Sequence, residues 1–256
     1  MNPLRVSHLA SKNESLSKTN INKQERSGLR KALLFCGILA SVLYIAMNVF
    51  IPMLYPGYHV ASQTVSELSA IGAPTRSLWF VFGILYTLLV AAFGVGIRQS
   101  ADENQSLRTL GILMIISGII GLAWSPMHQR EVIAAGSETF TDTWHIIMSA
   151  ITVFLMMLMI GFGAAGLGKG FRIYSIASMG IFITFGILTS LEAPGISTNG
   201  PTPMIGLWER INIGTYMIWM IMLAVLLMKR KGTASLATTK KETYKTKAAI
   251  YEQRLK

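Results

Sequence analysis

Residues 146–168 read IIMSAITVFLMMLMIGFGAAGLG, 23 consecutive positions without a charged or imidazole side chain. As an α-helix rising 1.5 Å per residue this run is about 34 Å long, enough to cross a hydrocarbon core of roughly 30 Å. Helices suit that environment because their backbone donors and acceptors are satisfied within the segment. Five more runs free of Asp, Glu, Lys, Arg and His occupy 32–54, 78–97, 109–127, 173–191 and 211–228. The expected fold is therefore all-α, a polytopic membrane protein with a six transmembrane helix bundle over 30–228. Polar basic tails flank it at 1–29 and 229–256.

Composition agrees. Only 14% of residues are charged, 52% are hydrophobic, and the mean hydropathy is +0.48, whereas soluble domains carry about 25% charged residues. The run at 32–54 starts too far into the chain, and is too long, for the roughly 7–15-residue core of a cleaved signal peptide. The single cysteine, Cys36, lies within it, which excludes an intramolecular disulfide.

The net charge of +11 is unevenly distributed. Segments 1–31, 98–108, 169–172 and 229–256 hold 20 of the 23 Lys and Arg residues, leaving Arg76, Arg130 and Arg210 for the other face. The positive-inside rule then puts both termini in the cytoplasm of a bacterial-type plasma membrane. This distribution assigns the basic excess to topology rather than to nucleic acid. Membrane lipids are the expected partners, with anionic headgroups attracted to the tails by about 1 kcal/mol per basic residue. The N-terminal tail, rich in Ser, Asn and Lys without periodicity, reads as disordered. The C-terminal tail reads as a Gly-Thr-Ala-Ser break followed by a short basic helix. Glycines within the runs, among them Gly94, Gly111, Gly118, Gly161 and Gly180, read as sites of close helix approach.

Hydrophilic side chains inside the spans cluster toward the non-cytoplasmic end. Asp142, His145, Ser149 and Thr152 form one stripe on the fourth span at helical spacing, and an acid one turn from a histidine can orient it. Asp142 equally suits the positive end of that helix. Glu209, Asn212 and Tyr216 form a second stripe, beside Arg210, on a helix expected to start with Thr202 as N-cap and Pro203 at its first position. Ser41, Tyr44 and Asn48 form a third. Glu67 closes a Thr64-x-x-Glu67 pattern, which fits a capping box or a short helix aimed at the same recess. His128 follows Pro126 near the mouth, and His59 joins Tyr55 and Tyr58 in an interfacial belt.

The expectation is an outward-open polar recess. His145, Asp142, Glu67 and Glu209 are its candidate catalytic groups, and Arg210, Ser149, Asn212 and Asn48 its candidate substrate contacts. No cofactor is readable. A metal would fall to His128, His145 and Asp142, although no HExxH or HxxxH pair is present.

The stretches YHVASQTVSELSAIGAPTRSLWFVFGI (58–84), SPMHQ (125–129), the start of the His145 helix and GLWERINI (206–213) together resemble the bacterial membrane family catalogued as domain of unknown function 998. Glu67 and the Glu209–Arg210 pair are the more specific elements of the likeness, which covers about residues 30–230. His128 stands where the resemblance implies an acid. The family implies six helices in a bacterial-type membrane and no established activity. Three functions remain open from the residues: a ligand- or lipid-binding scaffold or sensor, a hydrolase or transferase acting on a lipid headgroup or envelope substrate, and a neutral-solute transporter.

Overall fold

The computed structural model describes residues 3–230, with side chains from residue 24 onward. Among the described residues six helices are long and apolar enough to cross a membrane. They are α1 (Pro3–Phe50), α2 (Arg76–Ser100), α3 (Gln105–Leu122), α5 (Phe140–Gly166), α6 (Lys169–Glu192) and α8 (Ile205–Lys229). Two short helices, α4 (Arg130–Ala134) and α7 (Pro194–Ser197), lie in the connections, as do 3-10 turns at Ile51–Leu54 and Val65–Ser69. Among the described residues there is no strand, only an isolated bridge between Ile71 and His128.

Two boundaries differ from expectation. The α1 backbone is helical from Pro3, where the sequence reading has a disordered tail. No Pro or Gly occurs between residues 4 and 27, and extending a nucleated helix costs far less than starting one. Second, α3 stops at Leu122, five residues short of the apolar run. Pro126 cannot donate to a helix ladder and its ring disfavours helical geometry at Ser125. Residues 123–129 thereby become a connection that crosses the end of the bundle. The basic C-terminal segment lies, from residue 231 on, outside the described residues.

Each spanning helix packs on its neighbours in sequence, and α8 closes the ring against α1. Side chains from α8 fill the middle. The Tyr216 hydroxyl donates to the Met159 sulfur at 3.4 Å, with the Met114 sulfur at 3.7 Å, and Trp219 Nε1 donates to Ser175 Oγ at 2.9 Å. Both rings are at most 2% exposed, so each polar handle is satisfied where water is absent.

The α2–α3 pair is the tightest contact, made backbone to backbone. A Cβ built on Gly94 would lie 2.7 Å from Gly111 O and 2.8 Å from Ile115 N, and one on Gly118 would lie 2.7 Å from Thr87 O. Gly161 and Gly180 have nothing within 4 Å, so the close-approach reading fails for them; these glycines are on open faces. Gly94→Ala should therefore cost about 1–3 kcal/mol, because backbone atoms must move apart. Gly161→Ala should be neutral within about 0.5 kcal/mol. Thermal unfolding of the two variants in the same detergent checks the contrast.

Candidate functional site

The connections 55–75, 123–139 and 193–204 form a cap over one end of the bundle, built around the 3-10 turn Val65–Ser69. The capping box read from the sequence is present: Glu67 Oε2 accepts from the Thr64 amide at 2.7 Å and from its hydroxyl at 3.0 Å. Glu209, from α8, accepts from the next amide, Val65 N, at 2.6 Å. Two carboxylates thus hold the start of this turn, one local and one from 144 residues away.

Arg130, at the start of α4, pairs side-on with Glu67. Its Nε donates to Oε1 and its Nη2 to Oε2, both at 2.8 Å. The pair is buried, at 10% and 4% side-chain exposure. The Glu67 carboxylate holds the Arg130 guanidinium above its ordinary pKa against the opposing effect of burial. Arg130 Nη1 donates to Thr202 Oγ1 at 3.0 Å, and that hydroxyl donates to Ser62 O at 2.8 Å. Thr202 is consequently not the N-cap of α8, which begins two residues after Pro203, at Ile205. Glu192 takes over part of that capping work by accepting from Met204 N at 3.0 Å.

Arg210 is a staple. Its Nη1 donates to Val60 O, Gly206 O and Gln63 O at 2.8, 2.9 and 3.2 Å, and its Nη2 to the Tyr58 hydroxyl at 2.7 Å. These bonds use the guanidinium to hold residues 58–63, where the sequence reading expects a substrate-anion contact. Burial pushes the Tyr58 phenol upward, more than Arg210 beside it pulls it down.

The α5 start answers what its acid and histidine do, and the answer differs from expectation. Thr139 and Asp142 form a second capping box, with Asp142 Oδ2 2.9 Å from both Thr139 N and Thr139 Oγ1. The same carboxylate accepts from His128 N at 2.6 Å and meets His128 Nδ1 at 2.9 Å. Asp142 therefore orients His128 and not His145. A carboxylate at the third helical position reaches back toward the N-terminus, away from a residue one turn onward.

His145 is oriented by other groups. Its Nδ1 is 2.7 Å from Ser125 O, and its Nε2 is 3.1 Å from Ser66 Oγ. A carbonyl only accepts, so Nδ1 carries the proton, and in the neutral ring Nε2 is left to accept from the Ser66 hydroxyl. Trp124 packs edge-on against the imidazole at 5.0 Å. The ring is buried, at 5% exposure, while Ser66 is half-buried.

The family model described as "Protein of unknown function (DUF998)" matches residues 38–226, well over half of the chain. The chain belongs to the DUF998 family. No curated protein and no solved structure matches it. The DUF998 region starts within α1 and ends within α8, and it includes every residue of the cap described above.

The remaining candidates of this DUF998 protein divide. Ser149 Oγ donates to His145 O at 2.9 Å, so its hydroxyl is bound to its own helix rather than facing a recess. Asn48 Nδ2 donates to Tyr44 O at 2.9 Å, whereas the Oδ1 atoms of Asn48 and Asn212 are buried without a partner among the described residues. Among the described residues no group of three or more His, Cys, Asp or Glu side chains converges as a metal set. His128 and Asp142 bond each other, and both ring nitrogens of His145 have other partners, so these three do not form the expected cluster.

Sequence reasoning passed over Ser66, Ser125 and Arg130. Ser66 sits inside the very box that drew attention to Glu67. Arg130 is one of only three basic residues on an acid-rich face, a signal that a buried carboxylate partner was to be sought.

Proposed function

We propose that this protein is a membrane-embedded hydrolase or transferase acting on an ester of a lipid headgroup or envelope substrate, with Ser66 as nucleophile and His145 as general base. The observation that carries the reading is the 3.1 Å contact between Ser66 Oγ and His145 Nε2, with Nδ1 pinned on a carbonyl. A nucleophile within reach of a base whose tautomer is fixed by a third group is the recurring arrangement for activating a hydroxyl. The carbonyl of Ser125 does here what a carboxylate does in other triads: it fixes orientation and tautomer.

The chemistry balances with these groups alone. Nε2 takes the Ser66 proton as Oγ attacks the ester carbonyl carbon. The tetrahedral adduct collapses with cleavage of the ester C–O bond, and the departing alkoxide takes the proton back from Nε2. Water, or the hydroxyl of an acceptor, then loses its proton to Nε2 while attacking the acyl-serine, and Ser66 is restored. The 20-to-3 distribution of basic residues supports cytoplasmic termini and, with them, a site on the external face of a bacterial-type plasma membrane.

A scaffold or sensor is the second reading. Its support is that Glu67, Arg130, Asp142 and Arg210 are all engaged within the cap. Transport has less support, because Tyr216 and Trp219 occupy the middle of the ring. A fluorophosphonate probe applied to the purified full-length protein separates the first two. The enzyme reading expects covalent labelling at Ser66, lost in Ser66→Ala and in His145→Gln, with both variants retaining wild-type thermal unfolding. A folded wild-type protein that takes up no probe overturns it in favour of the scaffold.

A further inference from the structure

The opposite end of the bundle contains a charge with no role in the cap. Arg30 of α1 lies two residues before the first apolar run and is 2% exposed. Its Nη1 donates to Ser100 Oγ, at the end of α2, at 3.1 Å, and Ser100 Oγ donates to Gly96 O at 2.8 Å. Its Nε and Nη2 are buried and have no hydrogen-bond partner among the described residues.

Those two nitrogens form one edge of the guanidinium, the side-on edge that meets two oxygens of a planar or tetrahedral oxyanion at once. Arg130 uses that same edge on the Glu67 carboxylate. In Arg30 the edge meets no partner among the described residues. A guanidinium does not shed its proton to escape burial, and a buried ion without a partner is strongly unfavourable. Asp102 attracts Arg30 through space but makes no hydrogen bond to it. An oxyanion is the missing component.

The position of Arg30 narrows the choice. Arg30 lies where α1 meets the interface, at the end of the bundle that also carries Lys31, Arg98, Lys169 and Lys229. Basic residues at this depth concentrate anionic lipid, and basic pockets between spanning helices take phospholipid headgroups. We infer that Arg30 and Ser100 form a phosphate-binding site at the α1–α2 interface, filled by the headgroup of an anionic phospholipid from the adjacent leaflet. Arg30 Nε and Nη2 bind two phosphate oxygens. Entry requires the long Arg30 side chain to swing toward the headgroup layer, as such side chains do near the ends of spanning helices. The inference is independent of any chemistry at Ser66.

A thermal-shift scan of the full-length protein in nonionic detergent tests it, with phosphatidylglycerol, phosphate-free diacylglycerol and inorganic phosphate at matched concentration. The expected result is a rise in the wild-type midpoint with phosphatidylglycerol beyond that with diacylglycerol, no such rise with inorganic phosphate, and loss of the phosphatidylglycerol increment in Arg30→Gln. An equal rise with inorganic phosphate, also lost in Arg30→Gln, keeps the site and makes free phosphate its ligand. A full increment retained in Arg30→Gln assigns lipid binding to the other basic residues and overturns the site. If that variant does not purify, Arg30→Lys keeps the charge and removes the two-donor edge. An undiminished increment in it overturns the site equally, and a reduced one supports it.

Discussion

Glu67→Leu is expected to destabilise the protein by about 3–5 kcal/mol, the cost of breaking a buried ion pair by removing one partner. The loss has two parts. The larger comes from Arg130, which stays buried, charged and without the two oxygens that meet its Nε and Nη2 at 2.8 Å. The smaller, about 1 kcal/mol, comes from the capping bond to Thr64 N. Arg130→Met should cost less, since Glu67 keeps its bonds from the Thr64 amide and hydroxyl and from Gln63 Nε2. The double variant Glu67→Leu/Arg130→Met should recover most of the Glu67→Leu loss, because no uncompensated charge remains. Thermal or denaturant unfolding of all four proteins in one detergent measures the coupling. Additive losses would mean that the pair is too well hydrated to matter.

Gly206→Ala is expected to cost about 3 kcal/mol, at the upper end for adding one methyl to a packed position. A Cβ at this position would overlap the carbonyl oxygens of Gln63 and Val60 and lie 2.9 Å from Arg210 Nη1. These are backbone atoms fixed from several sides. Gly206 N and Leu207 N both donate to Ala61 O, at 2.8 and 3.2 Å. Val60 O and Gln63 O accept from Arg210, and Gln63 O accepts from the Tyr58 hydroxyl at 3.1 Å. The methyl must lift residues 60–63 off α8 and carry the Val65–Ser69 turn with them. Ser66 would then move relative to His145, which belongs to α5 and has no reason to follow. Probe labelling at Ser66 in the folded fraction should fall together with the unfolding midpoint. Preserved labelling beside a lowered midpoint would show that the turn is held mainly by Glu209 and Arg130.

The contrast between the two histidines explains how far the site is legible in one dimension. Spacing alone pairs Asp142 with His145, because both lie on one face of α5. The capping box with Thr139, equally readable from residues 139–142, in fact commits the Asp142 carboxylate to the other direction. The two patterns compete, and the box prevails because helix amides at an N-terminus have no other acceptor. Glu67 was legible for the same reason: its partner at Thr64 is three residues away and bound by local geometry. Arg130 and Glu67 are 63 residues apart, and Ser66 and His145 are 79. No periodicity relates such positions.

The sequence by itself determined the six spans and the Thr64–Glu67 capping box, because length in an apolar medium and unpaired helix amides act within a few residues of their cause. Only the tertiary structure decided which groups these charges meet. Arg210, Glu209 and Arg130 could each have faced a ligand; once the connections fold over the bundle, Arg210 and Glu209 bind backbone of residues 60–65 and Arg130 binds Glu67. Pairing among distant polar groups depends on where helices α4, α5 and α8 bring the chain back to one place. That is set by packing of the whole ring, so the hydroxyl facing His145 could be named only after the ring had closed.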